Sequence, residues 1–170
     1  MIVAFTGHRP DKLGSWDPLH PVVTQVRRAL RDALAANWPL YAISGMALGV
    51  DTWAAETCLE LGIPFVAALP CDSWGEQWPI FARARQEKLL AKAKEIHIIS
   101  PGPYKPWKMQ RRNEWMVDHC NLLLSVWDGG SGGTKNCLMY AAEVGRDVKQ
   151  LAWRLSPPTE PQALDSTSAG

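Results

Sequence analysis

The sequence lacks any long hydrophobic run and any marked excess of charge of one sign. No apolar stretch approaches the roughly 20 residues that a transmembrane helix needs, and the formal net charge of the 170 residues is +1. This balance gives no electrostatic indication of a nucleic-acid or membrane partner. The opening MIVAFTGHRP has no basic segment before its apolar one, unlike a signal peptide. We therefore expect a cytoplasmic protein with no membrane partner.

The sequence also lacks paired cysteines. Its four cysteines are dispersed, with no C-x-x-C motif: Cys58, Cys71, Cys120 and Cys137. Because disulfides are rare in the cytosol, we expect these thiols to be reduced and mostly buried. Neither the cysteines nor the four histidines have the spacing of a zinc site. No metal is expected.

What the sequence does contain is an alternation of short apolar runs with amphipathic helical patterns. Strands are predicted at 2–5, 40–44, 65–69, 95–100, 122–127 and 147–153. Helices are predicted at 22–34, 51–61, 80–94, 107–120 and 134–145. Asp51 is the predicted N-cap of the second helix and Gly62 its C-cap. The alternation predicts an α/β fold, a parallel sheet with helices on both faces.

One domain accounts for most of the chain. Residues 1–154 carry all of the predicted elements, and this length can bury a substantial core. Residues 155–170 are rich in proline, serine and threonine and poor in apolar residues, which predicts a disordered tail. In parallel sheets of this kind, ligands bind at the carboxyl ends of the strands, near a switch in strand order. The unusual loops after the first, second, third and fifth strands would all lie on that rim.

The most unusual loop is DGGSGGT, residues 128–134, between the strongest predicted strand and a helix. A glycine-rich turn before a helix exposes backbone N–H groups at the positive end of the helix dipole, which attracts phosphate. Gly129, Gly130, Gly132 and Gly133 remove steric bulk from this loop, and Thr134 adds a hydroxyl at the start of the helix. The loop is neither a Walker P-loop nor a clean G-x-G-x-x-G. The alternative is a flexible turn with two cap glycines.

The loop SGMALGVD, residues 44–51, is the second candidate. Ser44, Gly45 and Gly49 separate a strand from the helix that Asp51 would cap. An ordinary strand–helix turn is the alternative interpretation. A second glycine-containing loop on the same rim favours ligand contact for both loops.

The third loop, TGHRP, follows the first strand. Gly7 lets the chain turn sharply, so that His8 and Arg9 project from the end of the strand. A guanidinium suits a phosphate or carboxylate because it donates two parallel hydrogen bonds. A histidine is able to act as acid or base near neutral pH, although most surface histidines do neither.

A basic and aromatic segment, PWKMQRRNEW, opens the fourth helix. Such a mixture suits nucleotide phosphates and base stacking, or single-stranded nucleic acid. For Lys108 in this segment and Lys105 just before it, a solvated helix face is the favoured interpretation. Arg112 and Asn113 are the more informative pair.

These segments in this order resemble the YpsA-like branch of the SLOG superfamily, including its phage-encoded members. The resemblance rests on FTGHRP, SGMALGVDTWAAE, the loop Gln77–Trp78–Pro79, RRNEWMVD and WDGGSGGTKN, and covers residues 1 to 150. It implies a Rossmann-like three-layer α/β/α sandwich with a mostly parallel sheet that binds a nucleotide or nucleotide-derived phosphorylated ligand at the rim. The implied ligand-binding residues are Thr6, Gly7, His8, Arg9, Ser44, Gly45, Gly49, Asp51, Trp78, Arg112, Asn113, Asp128, Gly130, Gly132, Gly133 and Thr134.

The superfamily also includes enzymes, the "Lonely guy" phosphoribohydrolases, which cleave the N-glycosidic bond of nucleoside monophosphates. They carry P-G-G-x-G-T-x-x-E, and aligned on Gly133–Thr134 this chain has Cys137 in place of the glutamate. A carboxylate is what such chemistry needs to stabilise the oxocarbenium ion or orient water. The remaining catalytic candidates are Asp51, Asp128 and His8, with Asp118 as a further carboxylate.

The sequence is compatible with three functions. A ligand-binding sensor or accessory module is favoured over a hydrolase of nucleoside phosphates or sugar nucleotides, and over single-stranded DNA binding like that of DprA. The near-neutral charge argues against DNA, because such binding is built mainly from phosphate contacts. The expected partner is a small nucleotide-like molecule, and the sequence identifies no other cofactor. A homo-oligomer, most simply a dimer, is compatible with the sequence, which does not specify the oligomeric state.

Overall fold

Six parallel strands form a single sheet in the computed structural model, which describes residues 1–13 and 15–154. The strands are β1 (Ile2–Gly7), β2 (Tyr41–Ser44), β3 (Phe65–Leu69), β4 (Glu95–Ile98), β5 (Leu122–Val126) and β6 (Asp147–Gln150). The helices are α1 (Pro21–Asn37), α2 (Val50–Leu61), α3 (Ile80–Leu90), α4 (Pro106–Asp118) and α5 (Gly133–Glu143). The predicted disordered tail, 155–170, lies outside the described residues.

The sheet has the strand order β4-β3-β2-β1-β5-β6, and each neighbouring pair is parallel. The chain builds outward from β1 to β4, then returns to place β5 on the other side of β1. The strand order therefore switches direction between β1 and β5. The loops after these two strands diverge at that point and leave a crevice at the carboxyl end of the sheet.

Helices cover both faces of the sheet, as the alternating pattern predicts. One apolar cluster joins α1, α2 and α3 to the sheet through residues such as Leu30, Ala54 and Leu89. The other joins α4 and α5 to the opposite face through residues such as Met116 and Ala141. The two layers of helix on a parallel sheet confirm the predicted Rossmann-like three-layer α/β/α fold.

The outer strands differ from the inner ones in burial and length. All five residues of β3 are buried, whereas all four of β6 are exposed, because β6 is an edge strand. The predicted strands 95–100 and 147–153 and the predicted helix 80–94 are each shorter in the structure. The helix ends at Leu90 because the chain must reach the sheet, where the Lys94 N–H donates to the Phe65 carbonyl at 2.8 Å.

The start of α2 differs from the prediction. Gly49, with φ of 88°, is the N-cap, and Asp51 lies inside the first turn. The carboxylate of Asp51 instead accepts a hydrogen bond from the Ala47 N–H at 3.2 Å. A side chain at position 49 would collide with the His8 carbonyl, so glycine is required where the β1 and β2 loops meet. The predicted C-cap Gly62 is confirmed, with φ of 71°.

The four cysteines are free and buried, as predicted. Within residues 1–13 and 15–154, no helix has the length and apolar character needed to cross a membrane.

Candidate functional site

A cleft of about 420 Å³ opens at the switch point between β1 and β5. Residues from the β1 loop, the start of α2, the first turns of α4 and the start of α5 line it. Half of the residues predicted to bind a ligand are among them: Thr6, Gly7, Arg9, Asp51, Arg112, Asn113, Gly133 and Thr134. The topology therefore brings together segments from opposite ends of the domain, and we call this space the main cleft.

A buried ion pair forms part of the cleft wall. Arg112 is 3% exposed and Asp51 is 6% exposed, and their Nη1 and Oδ2 atoms lie 4.0 Å apart. Arg112 also donates from Nη1 to the Gly45 carbonyl and from Nε to Asn113 Oδ1, the latter at 3.0 Å. A Cβ at position 45 would overlap the guanidinium, so Gly45 makes room for Arg112.

Burial opposes both charges of this pair. It raises the pKa of Asp51 above its ordinary 3.8, and the nearby Arg112 only partly offsets that rise. Burial likewise lowers the pKa of Arg112, and Asp51 partly restores it. The charged form of each group is therefore stabilised by the other, because an isolated buried charge would have no opposite charge to offset its loss of hydration.

The N-terminus of α5 forms a second part of the cleft. Gly132 is the N-cap, with φ of 133°, and has no side chain with which to cap the helix. A Cβ at Gly133 would meet no atom within 4 Å, so the space before this helix is open. Lys12, which also lines the cleft, donates to the Ser131 carbonyl at 3.3 Å. The positive end of the α5 dipole and the Lys12 cation therefore both favour negative charge in this part of the cleft.

His8 and Asp128 do not line the main cleft. His8 is 5% exposed, and its Nε2 lies 3.0 Å from the Asp128 N–H and 2.9 Å from Asp128 Oδ1. The Gly130 N–H donates to the same carboxylate and, with His8, lowers the pKa of Asp128. This arrangement ties the β1 loop to the glycine loop. It leaves Asp51 as the one of the three catalytic candidates that faces the cleft.

Other predicted ligand residues shape the loops. Ser44 is fully buried, donates to the Asp51 carbonyl at 2.8 Å and accepts from the Met46 N–H at 3.2 Å. Gly7, which lines the cleft, also permits close packing of β1 on α2, because a Cβ there would lie 2.6 Å from Val50 Cγ2. Neither Ser44 nor the loop glycines Gly45, Gly49, Gly130 and Gly132 lines the main cleft.

Trp78 lines a second cavity of about 510 Å³ next to the main cleft. Residues of the β3–α3 loop and of the segment before α4 form this cavity. Arg9 and Tyr104 line both spaces, so the two are adjacent at these residues.

Sequence reasoning missed several cleft residues. They are Phe5, Asp11, Lys12, Ala47, Tyr104, Pro106, Met109, Gln110 and Asn136. The spacing 106, 109, 110 and 113 marks one face of α4 and was available as a signal. Lys12 and Tyr104 lie in irregular loops, and no pattern of spacing indicates their direction.

Two expectations for side-chain burial have opposite outcomes. The predicted solvated face for Lys108 is wrong, because this lysine is 5% exposed and its Nζ donates to the Pro101 carbonyl at 2.8 Å. The expectation that Cys137 points inward is confirmed, since it is 1% exposed. Burial raises the pKa of this thiol to about 11, so it is protonated near neutral pH.

Solved structures of the same fold include two DNA processing proteins. DprA from Streptococcus pneumoniae superposes with a TM-score of 0.63 at 20% identity, over 87% of this chain and 49% of that one. This chain therefore spans about half of that protein. DprA from Helicobacter pylori gives 0.65 at 22% identity, over 91% and 66%. The molybdenum cofactor carrier protein of Chlamydomonas reinhardtii gives 0.55 at 14% identity, over 88% and 75%.

Sequence relatives are closer. The SPbeta prophage-derived protein YoqJ of Bacillus subtilis strain 168 is 33% identical over 132 residues, 68% of this chain and 75% of that protein. A UPF0398 protein of Bacillus thuringiensis strain Al Hakam is 29% identical over 160 residues, 87% of this chain and 85% of that one. The family model YpsA, described as the YspA SLOG family, matches residues 3–154. The chain therefore belongs to the YpsA family of SLOG proteins.

Proposed function

We propose that this protein binds a nucleotide or nucleotide-derived phosphorylated ligand in the main cleft and acts as a sensor or accessory module. The observation that carries the proposal is the open space in front of α5. The helix begins at the cleft with Gly133, where a Cβ would have no neighbour within 4 Å, and the cationic side chains of Arg9 and Lys12 line the same cleft.

The chemistry of this corner suits a phosphate. Backbone N–H groups in the first turn of a helix have no intrahelical acceptor, and the helix dipole makes this end partly positive. The hydroxyl of Thr134 is a further donor at the same helix start. Arg9 is exposed and lines the cleft, so its guanidinium is free to pair with phosphate oxygens.

The buried carboxylate fixes an orientation for the ligand. Asp51 would repel a phosphate, but its oxygens accept hydrogen bonds from hydroxyl groups. A ribose therefore suits the region beside Asp51 and Arg112, while the phosphate suits the region beside Gly133. This division of the cleft favours a phosphorylated sugar derivative over inorganic phosphate alone.

The test compares Gly133→Asp with Gly133→Asn in the full chain. The two side chains have nearly the same size, and the open space at position 133 accommodates either, so they differ mainly in charge. We expect Gly133→Asp to abolish calorimetric binding of nucleoside monophosphates and Gly133→Asn to retain part of it. Equal nucleotide affinities of wild type and Gly133→Asp would contradict the phosphate site. A finding that no nucleotide binds wild type would contradict it as well.

Hydrolysis of an N-glycosidic bond is the second candidate, because Asp51 faces the main cleft. In that reaction, water adds to the sugar C1′ as the C1′–N bond breaks, and the base leaves with a proton. Cys137 cannot replace the missing glutamate, because its thiol is buried and protonated. A carboxyl whose pKa is raised by burial suits proton transfer, and Asp51 is such a group.

The binding proposal predicts that this reaction is absent. Wild-type protein incubated with several nucleoside monophosphates should release no more free adenine, guanine or cytosine than buffer alone, measured by chromatography. Base release that disappears in Asp51→Asn, with the variant still folded by circular dichroism, would instead establish the hydrolase.

A further inference from the structure

We propose that the second cavity holds the planar ring of the same ligand whose phosphate occupies the main cleft. We call it the aromatic cavity, defined by the rings of Trp74, Trp78 and Tyr104. The inference rests on the proposed function and adds to it the location of the base. It assigns to the β3–α3 loop the recognition of a nucleobase-like ring.

Three aromatic side chains form connected walls of this cavity. The rings of Trp74 and Trp78 meet edge to face, with centroids 5.3 Å apart at 75°. Those of Trp74 and Tyr104 stack with centroids 6.1 Å apart at 26°. Tyr104 remains 52% exposed, so much of its ring surface is available to a further ring. Stacking on aromatic side chains binds bases without requiring a particular pattern of hydrogen-bond donors and acceptors.

Hydrogen bonds within the protein hold the loop that carries the two indoles. Trp74 Nε1 donates to the Met46 carbonyl at 3.2 Å, and the Trp78 N–H donates to the Gly75 carbonyl at 3.0 Å. Gly75 has φ of 90°, and a Cβ there would lie 2.8 Å from the Trp78 ring. Glycine at position 75 thus lets the indole fold back against its own loop, and the aromatic surface is preorganised.

The two cavities are neighbours, because Arg9 and Tyr104 line both. The proposal places the phosphate of the ligand at Gly133 and its ring in the neighbouring aromatic cavity, with Arg9 between them. The reverse orientation is disfavoured because Asp72 and Glu76 line the aromatic cavity and would repel a phosphate. Their oxygens suit the N–H donors on the edge of a nucleobase.

The experiment measures binding of AMP, GMP, CMP, UMP and ribose 5-phosphate by calorimetry to wild type, Tyr104→Ala and Tyr104→Phe. Tyr104→Phe keeps the ring and is the matched control. We expect Tyr104→Ala to weaken the best nucleotide about fivefold or more, the loss typical of one stacked base. We expect Tyr104→Phe to bind it within about twofold of wild type, and ribose 5-phosphate to bind all three proteins alike.

Two kinds of failure are distinguishable. If a nucleotide binds and Gly133→Asp abolishes that binding, but Tyr104→Ala retains wild-type affinity, the ring lies elsewhere and only this inference is overturned. An equal loss for ribose 5-phosphate in Tyr104→Ala also overturns it, since the effect is then independent of the ring. If no nucleotide binds wild type, the proposed function itself fails, and the inference fails with it.

Discussion

At the scale of residues, two arginines with the same predicted role have different surroundings. Arg9 is exposed and lines both cavities. Arg112 is 3% exposed and has three polar partners: the Gly45 carbonyl, the Asn113 side chain and, at 4.0 Å, Asp51. We therefore expect Arg9 to contact the ligand and Arg112 to stabilise the cleft wall.

Arg112→Ala should lower the free energy of unfolding by about 3–5 kcal/mol, because it leaves the buried carboxylate of Asp51 and the Gly45 carbonyl without their partner. Arg9→Ala should change it by less than about 0.5 kcal/mol, since exposed side chains contribute little to stability. Urea unfolding of the two variants measures the difference. Similar losses of unfolding free energy in both variants would show that the ion pair is not a major contributor to stability.

Ligand affinity, unlike stability, should depend on Arg9. Arg9→Ala should weaken a nucleoside monophosphate about tenfold or more, because a charge-assisted hydrogen bond is lost, and leave the matching nucleoside unaffected. Equal losses for the phosphorylated and dephosphorylated ligand would show that Arg9 does not contact the phosphate.

At the scale of elements, one carboxylate links three helices. Glu56 of α2 accepts hydrogen bonds from Arg27 of α1 at 2.7 Å and from Arg85 of α3 at 2.6 Å. Burial by itself raises the pKa of Glu56, but the bonds from Arg85 and Arg27 outweigh that rise, so the pKa lies below its ordinary 4.5. Glu60, which is half-exposed, pairs with Arg27 and Arg31 on the outside of the same layer.

Glu56→Gln should destabilise the protein by about 1 kcal/mol at neutral pH, the upper range for partly exposed ion pairs. Because the folded-state pKa is depressed, this contribution is present above pH 4.5 and disappears as the pH falls through the lower folded value. Chemical unfolding of wild type and variant along a descending pH series measures the difference. Glu60→Gln is the control, with a smaller effect expected because its pair is more exposed. A difference that persists in strong acid would mean that Glu56 acts through packing rather than charge.

At the scale of the whole molecule, the charge of the chain bears on whether nucleic acid is a partner. The Helicobacter pylori DprA structure, which shares this fold, is described by its single-stranded DNA binding mode. The present chain has a net charge of +1, with 18 basic and 17 acidic side chains. Binding to nucleic acid depends on many phosphate contacts from basic residues, so a balanced net charge disfavours it.

We therefore expect no saturable binding of a fluorescently labelled oligothymidine at about 150 mM salt, measured by anisotropy at micromolar protein concentrations. The proposed nucleotide ligand should, in contrast, raise the melting temperature as its concentration rises above its dissociation constant. Saturable binding of the oligonucleotide with a steep salt dependence would favour the DNA function over the sensor.

The sequence by itself determined the layers of this protein. Apolar runs such as 65–69 and 122–127 identify buried strands, and the helical spacing between them identifies the crossovers, because both patterns depend only on local geometry. The glycine loop at 128–134 also marks the start of α5 without any tertiary information. The predicted ends of edge strands and helices were the least accurate, because the ends of β4, β6 and α3 depend on contacts with neighbouring strands.

Tertiary structure alone decided which of the polar residues face the main cleft. His8 and Asp128 follow the two strands that flank the switch point, as a ligand site would require, yet they bond to each other and do not line the cleft. Tyr104 and Lys12 carry no motif and still line it. The physical reason is that a side chain in an irregular loop takes its direction from long-range packing and hydrogen bonds, whereas a side chain in a strand or helix takes it from the local period.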